Sequence, residues 1–315
     1  MNHSTLKNNG PAIKSSCKKK RSDSASPKTL KDFFKIKSEN PTAKIIAGGT
    51  DLLVQLNGKF DCPFLIDISQ LEQLKGISRK SNFIKIGALT THTEIEKNKI
   101  LKKYANVLTQ AAFVIGSPQI RNRGTIGGNI ANASPAGDTL PPLYILNAEI
   151  ELTSESKTRK IPINEFFTGP GKSVLANNEI ITAINIPIEE NLEKGFFLRL
   201  GQREALAISK VSIALTTNSK TNEFRIALGS VAPTVVRAPE TEKLLSENSL
   251  TEKIINDAVK TICKEVSPIS DIRSEAEYRK EMCGVLLKKC LISQQSKITS
   301  PALSGTPLKG GLTIH

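Results

Sequence analysis

Ile45 and Ile46 are β-branched and apolar, the next five residues are Ala-Gly-Gly-Thr-Asp, and Leu52, Leu53 and Leu56 then recur at helical spacing. The pattern predicts a strand, a glycine turn and a helix. Two short strands follow at Phe64–Ser69 and Asn82–Thr90, expected in one sheet; the second places Ile84 and Ile86 on one face, Phe83 and Lys85 on the other. Thr91-His92-Thr93-Glu94 then fits a capping box. The helical pattern behind it runs to about Ile115 in two pieces and ends at Gly116-Ser117-Pro118-Gln119. After a stretch of small, nearly uncharged residues from Gly124 to Leu146, strands are expected at 148–154, 158–163 and 179–187. Pro187 and the polar run behind it mark a boundary, and 196–201, 210–217 and 224–232 read as an antiparallel sheet. Two helices close the pattern: Ile254, Ile255, Ala258, Val259 and Ile262 form one apolar stripe, and Tyr278, Met282, Val285 and Leu286 the other.

Composition changes the picture modestly. A chain of 315 residues supports two or three subdomains, and no run approaches the ~18 apolar residues that a membrane span needs. The first residues carry neither an apolar core nor an Arg-rich amphipathic pattern, so a cytoplasmic protein is expected. The net charge of +14 invites a nucleic-acid reading, but residues 1–27 hold six Lys or Arg against one Asp, and the remaining charge is spread along the chain. Aromatics amount to 4% and Trp is absent, so the stacking platforms of a nucleic-acid binder are missing and no such partner is expected. The five cysteines (Cys17, Cys62, Cys263, Cys283 and Cys290) contain no C-x-x-C pair, which excludes the common zinc and disulfide frameworks. Cys283 and Cys290, seven apart in a helical pattern, are expected to be buried thiols.

The chemistry is concentrated in two glycine motifs, Ala47-Gly48-Gly49-Thr50-Asp51 and Thr125-Ile126-Gly127-Gly128-Asn129. Glycine admits positive φ and lets a ligand approach bare backbone, so successive N–H groups converge on an anion, with the hydroxyls of Thr50 and Thr125 as further donors. A diphosphate suits two such loops. Neither motif has the spacing of a Walker loop or of G-x-G-x-x-G, and each alone is also readable as a simple turn. Asn132, Ser134 and Asp138 either hydrogen-bond a tight loop or, for the lone carboxylate, meet a ligand hydroxyl. Arg121 and Arg123 either offset a diphosphate charge or serve a subunit interface. His92 reads as a structural residue of the helix cap.

In this order, "IIAGGTDLL", "GALTTHTEIE", "GSPQIRNRGTIGGNIANASPAGDTLPPL", "FFTGPGKSVL", "RLGQREALAISKVSIAL", "RIALGSVAPTVVRAPETEKLL" and "EAEYRKEM" resemble the FAD-binding, medium subunit of the molybdenum hydroxylase family, the xanthine dehydrogenase and carbon monoxide dehydrogenase type, over roughly Lys28 to Ile292. The resemblance implies an α+β fold. A two-subdomain FAD-binding domain of the vanillyl-alcohol-oxidase type would span 28–190, and a smaller α+β domain with an antiparallel sheet and helices 191–292. A basic disordered tail (1–27) and an extended tail (293–315) would flank them. It implies FAD contacts at Ile45, Ile46, Ala47, Gly48, Gly49, Thr50, Asp51 and Leu52, and at Thr125, Ile126, Gly127, Gly128 and Asn129. Asp138 matches a position that contacts FAD, and Ile181 falls near an apolar flavin contact. Two departures are visible. Arg199 stands where relatives commonly carry Lys, which keeps the charge but changes its shape. Ile115 stands where animal-type xanthine dehydrogenases place an aromatic ring, and packs on a flat ring without stacking geometry.

The implied function is electron transfer. A separate large subunit with the molybdenum cofactor would hydroxylate substrate, a small subunit with two 2Fe-2S clusters would pass the electrons on, and this flavin would deliver them to NAD or another acceptor, in a dimer of heterotrimers. No side-chain acid or base is assigned to the flavin step, and the cysteine spacing does not match the inserted cluster that some relatives carry in this subunit. A stand-alone flavin oxidoreductase of the same superfamily and a flavin-free assembly subunit are the alternative readings.

Overall fold

The structure, a computed structural model, describes residues 23–56, 64–193, 195–203, 207–299 and 313–314; Cys17, Cys62 and most of both expected tails lie outside these. The first layer is β1 (Asp23–Ala25), α1 (Leu30–Glu39), β2 (Lys44–Ile46), α2 (Leu52–Leu56) and β3 (Phe64–Asp67), with the strands in the parallel order β1-β3-β2. Thr29 caps α1 by accepting from the Asp32 amide, and Phe33 and Phe34 pack edge to face at 5.1 Å under the sheet. Order therefore begins before Pro27: β1 pairs Asp23, Ser24 and Ala25 with Phe64, Leu65 and Ile66.

The second layer starts with β4 (Ile77–Arg79) and β5 (Phe83–Gly87). Six short helices follow: α3 (His92–Lys97), α4 (Lys99–Tyr104), α5 (Asn106–Val114), α6 (Pro118–Arg121), α7 (Ile126–Asn132) and α8 (Leu140–Ile145). It ends with β6 (Glu149–Thr153), β7 (Thr158–Pro162), α9 (Ile163–Phe166), β8 (Phe167–Gly169), β9 (Lys172–Ser173) and β10 (Ile180–Pro187). Its five-stranded antiparallel sheet has the order β4-β5-β10-β6-β7, so β10 is central and is buried from Ile180 to Ile186. The strands at Phe64 and Phe83 thus lie in different sheets, against expectation. β3 already has β1 and β2 on its two edges, while β5 is closed by β4 and β10. Ile84 and Ile86 face the main core as expected, against Leu108, Ala112, Ile126 and Ile130.

The helical stretch after Thr91 breaks into three pieces rather than two. The Asn98 side chain accepts from the amides of Ile100 and Leu101 and so starts α4 where α3 ends, and Ala105 leaves helical geometry before α5. Gly116 takes a φ of +50°, and Ser117 with Pro118 starts α6 instead of merely ending the previous helix.

The third layer is β11 (Phe196–Leu200), β12 (Val211–Asn218), β13 (Glu223–Gly229), β14 (Val236–Arg237), α10 (Pro239–Glu247), α11 (Glu252–Ile262), α12 (Ala276–Thr299) and β15 (Thr313–Ile314). The sheet order is β14-β13-β12-β11-β15, antiparallel except where β15 joins β11 in parallel. Both faces are buried. Ile213, Leu215, Ile226 and Leu228 face α11 and α12, whereas Phe197, Ala214 and Ala227 face the main core. Among the described residues three helices rather than two cover this sheet, α10 being the addition.

Two features of α12 differ from expectation. The buried face is Arg279, Cys283, Leu286, Leu287, Cys290 and Leu291, with Tyr278 exposed, so the stripe is rotated by about one residue. Arg279 turns inward because it donates to the Ser230 carbonyl and to Asp271, which satisfies its charge. The helix also continues through Ser293 to Thr299 where an extended tail was expected, since Gln294 donates to Thr217 Oγ1 at 2.8 Å and Gln295 to the Leu250 carbonyl. Cys283 and Cys290 are buried thiols, as expected. This register predicts that Leu287→Ala costs ~2–5 kcal/mol in urea unfolding. Tyr278→Ala, which loses only an exposed contact with Lys210, should cost below ~1 kcal/mol.

Candidate functional site

The first glycine motif leaves its donors unused. Between β2 and α2 the carbonyls of Gly49 and Asp51 accept from Leu53 and Gln55, but among the described residues none of the amide N–H groups of Gly48, Gly49, Thr50 and Asp51 donates within the protein. Gly49 needs its missing Cβ for a φ of +75°, and Gly48 needs it for space: a Cβ there would lie 1.8 Å from the Arg123 carbonyl oxygen. The turn is therefore pressed onto the segment that leads into α7.

The second motif is a helix start rather than a loop, and its donors are mostly spent. Thr125 Oγ1 accepts from the Gly128 amide at 3.1 Å as the N-cap. The amide of Ile126 donates to the Thr90 carbonyl, that of Gly127 to Ala88 and that of Asn129 to Thr125. A Cβ on Gly127 would come within 2.7 Å of Ala88, so this glycine lets α7 lie flush on the end of β5. Gly128 is different: a Cβ there would meet only Thr125 Oγ1, at 2.9 Å, and it otherwise faces open space.

Between the two motifs runs a cleft with about 1050 Å³ of empty space, mouth included. Ile45 to Leu52, Thr125, Gly127, Gly128, Asn129 and Ile181 line it, together with Ile68, Leu89, Leu175 and Ile180. Asn132 joins its rims, accepting from Gln55 and donating to Asp51. No Lys or Arg side chain lines it among the described residues, and its Glu179 is held by Arg159 at 2.6 Å. Arg121 is committed elsewhere, to Glu96, the Ile115 carbonyl and the Phe113 ring.

Of the remaining expected residues, Ile126 is fully buried in the core, and half-buried Ile115, Asp138 and Arg199 do not line the cleft. Asp138 and Arg199 are instead brought to each other. Arg199 donates to Asp138 at 2.8 Å, Ser209 donates to the other carboxylate oxygen at 2.6 Å, and the pair is almost fully buried. Burial pushes the Asp138 carboxyl up, and Arg199 and Ser209 pull it back.

His92, read from the sequence as a structural residue of the helix cap, is buried there. It does start α3 behind a complete capping box, but its side chain lines the cleft. Burial, helped by the nearby positive charge of Arg121, lowers its pKa to about 4. The reason it faces the cleft is the bridge between Thr91 and Thr125, with the His92 amide donating to the Gly124 carbonyl. No local pattern announces a contact across so many residues.

Comparison with known proteins identifies the family. Residues 20–189 match the FAD binding domain in molybdopterin dehydrogenase, and residues 196–294 match the CO dehydrogenase flavoprotein C-terminal domain. The chain is 33% identical to the xanthine dehydrogenase FAD-binding subunit of Escherichia coli O157:H7 over 84% of this chain and 92% of that protein. It is 31% identical to the carbon monoxide dehydrogenase medium chain of Hydrogenophaga pseudoflava over 79% of this chain and 88% of that one. A solved carbon monoxide dehydrogenase from Hydrogenophaga pseudoflava, lacking the Mo-pyranopterin moiety, superposes with a TM-score of 0.82 and 28% identity, covering 88% of this chain and 98% of that chain.

The neutral, buried His92 predicts a pH dependence of stability. The unfolded chain takes up a proton below pH 6.5 while the folded chain resists until about 4. Its contribution is therefore complete above 6.5 and is lost as the pH falls to about 4, in total about 3 kcal/mol. Urea unfolding of the wild type and of His92→Gln between pH 7 and 4.5 should show a shallower loss in the variant.

Proposed function

The chain belongs to the FAD-binding subunits of the molybdenum hydroxylases, and we propose that it serves such an enzyme as the electron-transfer subunit, passing electrons from an iron–sulfur subunit to NAD or another acceptor. FAD is its cofactor and it is a component of an oxidoreductase. The observation that carries the reading is the row of unused amides from Gly48 to Asp51 on a turn that only glycine permits, facing the bare backbone of Gly128.

The residues present fit the cofactor. The amides of residues 48–51 would hold its diphosphate, and Ile45, Ile181 and the neighbouring apolar wall would pack on its ring systems. When bound, the flavin supplies exchange of one or two electrons. The protein binds it, excludes water with the apolar wall and fixes its surroundings. In this reading Asp138 and Arg199 act from behind the cleft wall, Ser209 fixing the carboxylate so that Arg199 keeps one orientation. The molybdenum cofactor and the 2Fe-2S clusters belong to a large and a small partner subunit, the holoenzyme is a dimer of heterotrimers, and its location is cytoplasmic. Among the described residues no helix is long and apolar enough to cross a membrane.

Purified protein should carry one FAD per chain that acid releases and that restores the absorbance of stripped protein. Gly48→Ala, whose Cβ would force the turn off the Arg123 carbonyl, should lower FAD occupancy by ~10-fold or more while the separate C-terminal sheet stays folded by circular dichroism. Colourless wild-type protein indifferent to added FAD would favour the assembly-subunit reading. Affinity purification from the native host should bring down both partner subunits.

A further inference from the structure

His92 is a polar side chain in the cleft wall with nothing in the protein to bind. Among the described residues neither ring nitrogen makes a hydrogen bond; Nδ1 is sealed from solvent and without a partner, and Nε2 is the nitrogen that keeps accessible surface. The residue as a whole is 3% exposed. The ring rests on Gly124, where a Cβ would come within 3.0 Å of Cδ2 and 3.4 Å of Nε2. Gly48 abuts the same segment from its own side, its Cβ position lying 3.1 Å from the Gly124 nitrogen. The ring edge and the unused amides therefore flank one short piece of backbone.

The tautomer follows from the sealed nitrogen. A buried N–H without an acceptor is the costlier orphan, so the proton belongs on Nε2 and the bare lone pair on Nδ1. The ring is uncharged at neutral pH, with Arg121 as the nearest opposing charge; Glu94 is held in the capping box and Glu96 by Arg121. Nε2–H is then an unpartnered donor on a residue of the cleft lining, which offers no cationic side chain among the described residues.

We propose that His92 donates from Nε2–H to an oxygen of the FAD diphosphate, as a side-chain donor beside the backbone amides of the turn. This rests on the flavin reading above and assigns to the residue a binding role, not a catalytic one.

The full-length chain, stripped of flavin and titrated with FAD by fluorescence, tests it in three forms. His92→Gln keeps an N–H donor near the Nε2 position and should bind within ~3-fold of wild type, whereas His92→Leu should bind ~10-fold or more weakly. In the FAD-bound protein a ³¹P resonance of the diphosphate should move in His92→Leu and stay near its wild-type shift in His92→Gln. Where His92→Leu fails to fold, His92→Asn, whose amide sits at the Nδ1 position, replaces it with the same expectation. Equal affinity and an unchanged ³¹P spectrum in the donor-less variant overturn the role of His92 and leave the flavin reading standing. A wild-type chain that binds no FAD overturns both.

Discussion

Everything around the cleft depends on one backbone-to-backbone contact, the approach of Gly48 to the carbonyl of Arg123. No side chain fits between them, since even a methyl group would lie 1.8 Å from that oxygen. The contact fixes the turn after β2 against the start of α7, and Gly127 repeats the device one layer deeper by seating that helix on Ala88. Two different sheets are thereby held at a distance set by glycine. The amides of the turn make no hydrogen bond within the protein, among the described residues, although the Arg123 carbonyl lies close beside them.

The third layer is tied to this arrangement by a chain of buried polar groups. Asp138 follows α7 and binds Arg199 of β11 and Ser209; the Ser209 carbonyl accepts from Ser230, and the Ser230 carbonyl accepts from Arg279 of α12. Ser230 has a φ of +65°, an uncommon conformation for a residue with a side chain, and its amide, hydroxyl and carbonyl are all engaged. Removing one member would strand its neighbour's charge or donor in the interior. Replacement of a single residue in this network is therefore felt on both sides of the domain junction.

Much of this was legible in the sequence, and the failures have a common cause. Strand–glycine–helix at Ile45–Leu56, the Thr91 capping box, the alternation at Ile84 and Ile86 and the buried Cys283 and Cys290 are local signals and appear in place. The family motifs reached further, to the cofactor and the order of the domains. What stayed hidden was long-range partnership. Nothing local distinguishes a strand at Phe64 that joins β1 and β2 from one that joins β5, tells that Arg279 will find Asp271 and so turn α12, or shows that Asp138 and Arg199 meet each other. At His92 the cap was visible, while the bridge from Thr91 to Thr125 that sets the residue beside the cleft was not.

The distribution of charge completes the argument. The chain carries +14 overall, yet the wall of the cleft proposed to hold the diphosphate shows no Lys or Arg among the described residues. A cationic side chain holding the diphosphate would be hydrated in the empty protein and screened by salt, whereas amides fixed by a glycine turn are already oriented and lose no rotamer freedom on binding. A cradle of that kind would hold its ligand through short-range geometry, so its grip would depend little on ionic strength and strongly on the close approach of Gly48 to Arg123.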